Sequence, residues 1–350
     1  MNESTKQKLM EKNKKIINMI IERVKRDFPD EIEFIGLTGS FSKNDFHEKS
    51  DLDLVILNNT DKGRGIADGF IFDDVGYDIY CAFWDNVGKI TDMQILYCAN
   101  PELLEKYNRL KEQTLQKFAE PIGINCINRA KEHLNHAKQE YANMMLSDDL
   151  CKVRYASGDF LGRHIGKVLA HLNNHDIDKY GIKRLLDEFL KYKYLPENFE
   201  KLYMAVIDAK NIQEIREASF TMLREVTQLY EKMHSDFTEQ PIPTYDNLWG
   251  TYEELWCNSR NKVIRSIGLK DKSYAFYAAM GAQSYFDEMT EVIGTKKFDL
   301  LQYFDADNLE IFEEAFLKAM DEYLKEYDKV GRKALKFDTF EELYDYYMKK

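Results

Sequence analysis

Two hydrophobic rhythms alternate along this chain. Over residues 5–28, Leu9, Ile16, Ile17, Ile20, Ile21 and Val24 recur at helical spacing, and Pro29 stops the pattern. This predicts an amphipathic helix. Short apolar runs follow. Glu31–Leu37 and Leu52–Leu57 read as strands, and Phe70–Asp73 and Tyr77–Phe83 as a hairpin joined by a short Asp-Val-Gly turn. Asn58–Gly69 is turn-rich. Met93–Leu96 and the segment from Pro101 onward read as helical. Beyond Ile124 only the helical rhythm continues, over Asn125–Met145, Lys152–Asn173, Ile182–Lys191, Phe199–Ala209 and Ile212–His234. Pro241-Ile242-Pro243 interrupts it, and it resumes at Tyr252–Ile267, Ser273–Ile293, Leu309–Lys329 and Phe340–Lys350. The expected fold class is α+β. A small mixed β-sheet domain with flanking helices would occupy residues 1–122, and a large all-α helical-bundle region residues 123–350, subdivided near residue 240.

Composition narrows the function. At 350 residues and 44% hydrophobic, the chain can bury more than one core. Its formal charge of -12 argues against a nucleic-acid partner, which would call for Lys and Arg on phosphates. It favours a neutral or cationic one. About half of the excess lies beyond residue 298, where 14 Asp and Glu face 8 Lys and Arg. Five scattered cysteines without a C-x-x-C read as reduced thiols in a cytoplasmic protein. The charged N-terminus does not read as a signal peptide, and no apolar run approaches membrane-spanning length.

One segment carries chemistry: Gly39-Ser40, a polar loop, then Ser50-Asp51-Leu52-Asp53 leading into a Val-Ile-Leu run. On a strand, carboxylates at i and i+2 share a face, ~6–7 Å apart. Such a pair suits hard divalent cations, which take oxygen ligands. Gly39-Ser40 offers unhindered N–H groups and a hydroxyl, which suit a phosphate. Asp78, amid the apolar residues of a neighbouring strand, is the expected third carboxylate, because an uncompensated charge there would be costly. Asp73 and Asp74 read as solvated turn residues.

Gly-Ser, a ten-residue loop, Asp-x-Asp and a later strand Asp together resemble the nucleotidyltransferase superfamily that includes DNA polymerase beta. The likeness is nearest to the aminoglycoside and minimal nucleotidyltransferases and covers residues 31–85. Lys43 stands where that pattern often has Arg, keeping the charge without the bidentate fork. Asn44 stands where it often has Gly, and asparagine tolerates a left-handed backbone. The resemblance implies that Gly39, Ser40, Lys43 and Ser50 contact the nucleotide, with ATP as the default donor. It implies that Asp51, Asp53 and Asp78 hold two Mg²⁺ ions and that Asp78 doubles as base. The reaction would move NMP to a small hydroxylated acceptor, an aminoglycoside-type antibiotic being favoured, with no nucleic-acid or membrane partner. The alternatives are AMP transfer to a protein and a catalytically degenerate nucleotide-binding module.

Weaker signals lie further on. Gly158, Gly162 and Gly166 would give a helix one smooth packing face. Asp159, four residues before Arg163, reads as half of a surface ion pair; by likeness to antibiotic-modifying enzymes it is also a candidate general base. His164, His171 and His175 read as core or surface histidines, since no Glu or Cys completes a metal set. Trp249, Trp256 and Tyr344–Tyr347 read as helix packing.

Overall fold

The computed structural model describes residues 3–84, 93–175, 185–238 and 241–349. The chain divides into two compact units, Met1–Phe237 and Thr238–Lys350.

The first unit begins with α1 (Glu3–Asp27), whose Leu9, Ile16, Ile20 and Val24 are buried as its apolar stripe requires. Then come β1 (Ile32–Thr38), the single turn α2 (Gly39–Ser42), β2 (Asp53–Asn58), β3 (Asp68–Phe72), β4 (Val75–Ala82) and β5 (Gln94–Cys98). They form one mixed sheet in the order β3-β4-β2-β1-β5, parallel only between β2 and β4.

Strand alternation splits the sheet into two faces. Ile35, Leu37, Leu54, Ile56, Tyr77 and Ile79 pack with Ile16, Ile20 and Val24 of α1. Phe34, Val55 and Leu57 pack on the other side with Met93 and with Tyr107 of α3 (Pro101–Ala119). Asn100 starts α3, its side chain accepting from the Glu102 N–H at 2.9 Å.

Two strand expectations need correction. The hairpin turn is Asp73-Asp74, both left-handed (φ 52 and 58), while Val75 and Gly76 lie in β4. Two residues at positive φ match the twist of a tight hairpin. Gln94–Cys98 is a strand, not a helix. It pairs antiparallel with β1, a long-range partner that so short an apolar run cannot announce.

The rest of this unit is helical: α4 (Ile124–Met145), α5 (Leu150–Gly158), α6 (Gly166–Leu172), α7 (Leu185–Phe189), α8 (Phe199–Asp208) and α9 (Ile212–Phe237). Residues 182–184, included in the expected Ile182–Lys191 helix, lie outside the described residues. These helices share a core centred on Leu134, Phe160, Val168, Met222 and Val226. Between α5 and α6 the backbone runs as a π-helix over Asp159–Ile165. Gly158 is exposed, Gly162 half-buried and Gly166 buried, so the three do not form the one packing face expected of them. A Cβ added at Gly158 or Gly162 would meet nothing within 4 Å, so neither admits a neighbouring backbone.

The second unit contains α10 (Thr251–Glu254), a π-helical stretch (Leu255–Arg260), α11 (Asn261–Gly268), α12 (Lys272–Ile293), α13 (Glu310–Lys329) and α14 (Phe340–Met348). Its core includes Leu255, Ala279, Phe286, Phe312, Phe316 and Tyr323. The buried Tyr327 hydroxyl accepts from the Tyr252 N–H at 2.8 Å and donates to the Leu248 carbonyl at 2.5 Å. Among the described residues no helix is long and apolar enough to cross a membrane. All five cysteines are free thiols.

Candidate active site

The site is built where β1 turns back toward β2. Thr38 pairs with Asp53, and its hydroxyl donates to the Asp53 carbonyl at 3.2 Å. Gly39 follows with φ +69, a conformation that glycine adopts without steric cost. An alanine Cβ there would lie 1.6 Å from Asp53 Oδ2, so the carboxylate fills the space that glycine vacates. The Ser40 N–H donates to that carboxylate.

The turn closes by bonds from the Asn44 N–H to the Phe41 carbonyl and from the Asp45 N–H to the Ser40 carbonyl. Asn44 is left-handed (φ 56), the role that its side chain tolerates. Phe41 and Phe46 stack at 4.0 Å across the base of the loop. Ser50 is buried, and its hydroxyl accepts from the His47 N–H at 2.9 Å, tying the loop just before the aspartates.

β2 starts at Asp53, and Asp51 precedes it. The Leu54 N–H donates to the Leu52 carbonyl at 3.1 Å, so the chain bends there rather than running extended through both carboxylates. Asp51 nevertheless stays close enough for its charge to act on Asp53. The Asp53 pKa is raised, first by burial and then by Asp51, while the Ser40 N–H and Lys43 partly offset the rise.

Asp78 arrives by register. Leu54 pairs with Ile79 and Val55 with Tyr80 across the parallel β2–β4 ladder, which sets Asp53 beside Asp78 on the same face. That face points away from α1, since the flanking Leu54 and Ile79 belong to the core beneath α1. Tyr80, two residues on and 42% exposed, shares the face. Its pKa is raised by burial first and then by the charges of Asp53 and Asp78. Tyr80 is the site-facing residue that the sequence did not single out. Its alternation with Asp78 was visible, but a partly exposed aromatic beside carboxylates was not.

The three carboxylates share one region without closing on one another. Among the described residues, one set of three His, Cys, Asp or Glu side chains has its ligand atoms all within 4.8 Å of one another, and that set is His133, His136 and His164. An oxygen-only donor set carrying excess negative charge, with Asp53 held toward its neutral form, fits hard divalent cations.

Asp159 lies on the π-helical segment. It pairs with Arg163 at 3.3 Å, and its charge acts on His164. The histidines also regroup: His164 meets His133 and His136 of α4, while the ring of His175 lies 4.8 Å from that of Tyr192. A groove of about 530 Å³ lined by Lys12, Ile16, Phe70 and Phe72 is on the α1 side of the sheet, away from Asp53 and Asp78.

Residues 17–138 match the Nucleotidyltransferase domain family. The match takes in the whole sheet with its Gly-Ser turn and all three aspartates, so the chemistry is nucleotidyl transfer. No curated protein matches the chain.

Proposed function

We propose that this nucleotidyltransferase moves a nucleoside monophosphate, AMP from ATP in the first instance, to a hydroxyl of a small polycationic acceptor of the aminoglycoside class. The observation carrying the reading is the carboxylate face: Asp53 beside Asp78 by strand register, Asp51 acting on Asp53, and Gly39-Ser40 folded against the same carboxylate. Two Mg²⁺ ions held by Asp51, Asp53 and Asp78 would neutralise charge on the α-phosphate and on the departing pyrophosphate.

The protein's own groups do the rest. The Gly39-Ser40 turn and Lys43 receive the triphosphate, and the Ser40 N–H keeps Asp53 oriented. The acceptor oxygen attacks the α-phosphorus, forming the new O–P bond as the bond to the pyrophosphate oxygen breaks. The pyrophosphate leaves with that electron pair. The solvent-exposed Asp78 takes the hydroxyl proton in this reading. Asp159, engaged with Arg163, is a less suitable base. Support for a cationic acceptor is electrostatic: a formal charge of -12 raises the local concentration of polycations.

The test is pyrophosphate release from Mg-ATP across a panel of aminoglycosides and other hydroxylated antibiotics. Release should depend on the acceptor and fall by at least about 100-fold in Asp51→Asn and Asp53→Asn. Release with no acceptor on the panel would refute the acceptor class. Release unchanged in both variants would refute the carboxylate mechanism.

A further inference from the structure

The helices of the first unit hold three imidazoles in mutual reach. His133 and His136 lie one helical turn apart on α4, and His164 lies on the π-helical segment packed against it. Ring centroids are 6.1 Å apart for His133–His136 and His133–His164, and 5.3 Å for His136–His164. One ring nitrogen of each falls within 4.8 Å of the others. His164 reaches the two α4 rings from within the π-helix. Such bulges recur at functional sites.

The hydrogen bonding around these rings is incomplete. His133 Nδ1 and His164 Nδ1 are buried without a partner, an arrangement that folded proteins rarely leave uncompensated. Neutral imidazoles with free lone pairs are the form that binds metal. His136 is exposed, which leaves a route from solvent. Glu140, whose negative charge acts on His164, is a nearby carboxylate for an outer hydrogen bond, while Asp159 is engaged with Arg163.

We propose that His133, His136 and His164 form a site for a divalent transition ion of the zinc class, separate from the carboxylate face. Three nitrogen donors with a fourth position for water or a carboxylate are the tetrahedral set that zinc takes, and they do not suit Mg²⁺, which prefers oxygen. The bound ion would tie α4 to the π-helical segment and hold the helical core more rigidly.

The test uses the untagged full-length protein after chelator treatment. Co²⁺ is titrated by its visible absorption, and Zn²⁺ by competition with a chromogenic indicator. Wild type should take up one ion, show the intense bands of four-coordinate cobalt, and gain thermal stability with Zn²⁺. Excess Mg²⁺ should not displace the ion. His136→Ala, at an exposed position that the fold does not need, should weaken Zn²⁺ binding by about tenfold or more, and His164→Gln likewise. The double variant Asp51→Asn/Asp53→Asn should bind Zn²⁺ as wild type does, whatever its transfer activity. No uptake by wild type would overturn the proposal. Equal uptake by wild type and both histidine variants, or loss of uptake in the aspartate double variant, would also overturn it.

Discussion

Replacing Gly39 by alanine sets a methyl group where the Asp53 carboxylate already sits. The added Cβ would be 1.6 Å from Oδ2, 2.5 Å from Cγ and 2.9 Å from Cβ of Asp53. Restoring even a 3.0 Å contact to Oδ2 requires the carboxylate to retreat by about 1.4 Å. A working site tolerates displacements of only about 0.5 Å, and a misplacement of about 1 Å can cost on the order of 100-fold in rate. The backbone adds its own cost. At φ +69 an alanine is disfavoured by about 1–2 kcal/mol. The expected result is a loss of activity out of proportion to the loss of stability. Pyrophosphate release with the best acceptor should fall by about 100-fold or more, while urea unfolding should report about 1–3 kcal/mol of destabilisation. The same variant should lose most of the thermal stabilisation by Mg-ATP that wild type shows. A Gly39→Ala protein with rate and nucleotide stabilisation within about threefold of wild type would refute the claim that the close approach of turn and carboxylate organises the site.

Other substitutions probe separate links. Asp53 has a raised pKa in the folded protein, so its effect on stability is favourable below the ordinary carboxylate range and is lost as pH rises through the raised value. Asp53→Asn should therefore abolish transfer yet make the free protein more stable at neutral pH, with a flatter pH profile in denaturant titrations; a less stable variant at neutral pH contradicts this. Asn44→Val, a β-branched residue at φ 56, should cost about 1–2 kcal/mol in unfolding free energy, and Asn44→Gly should not. Tyr80→Ala should raise KM more than it lowers kcat if the ring positions a substrate beside Asp78; equal kinetics would remove Tyr80 from the site. Tyr327→Phe leaves the buried Tyr252 N–H and Leu248 carbonyl without their shared partner and should lower the thermal stability of the second unit by the equivalent of about 1–3 kcal/mol.

The sequence by itself determined the elements whose signal is local. The stripe of α1 fixed its buried face, and Pro29 fixed its end. The Gly39-Ser40 turn with Asp53 opening a strand was legible because small residues, carboxylates and a Val-Ile-Leu run each have a direct conformational meaning. Asn44 could be assigned its left-handed backbone because few residue types tolerate one. Tertiary structure decided what depends on partners distant along the chain. β5 exists because β1 offers it an edge, and Asp78 reaches Asp53 only through the parallel register of β4 on β2. The glycines at 158, 162 and 166 keep a helical spacing on paper, but packing treats them differently, leaving Gly158 exposed and Gly166 buried. The histidines grouped by sequence proximity, His164, His171 and His175, are likewise not the group that forms. His133 and His136 join His164 across two packed helices, a contact between residues about thirty positions apart that no local period encodes.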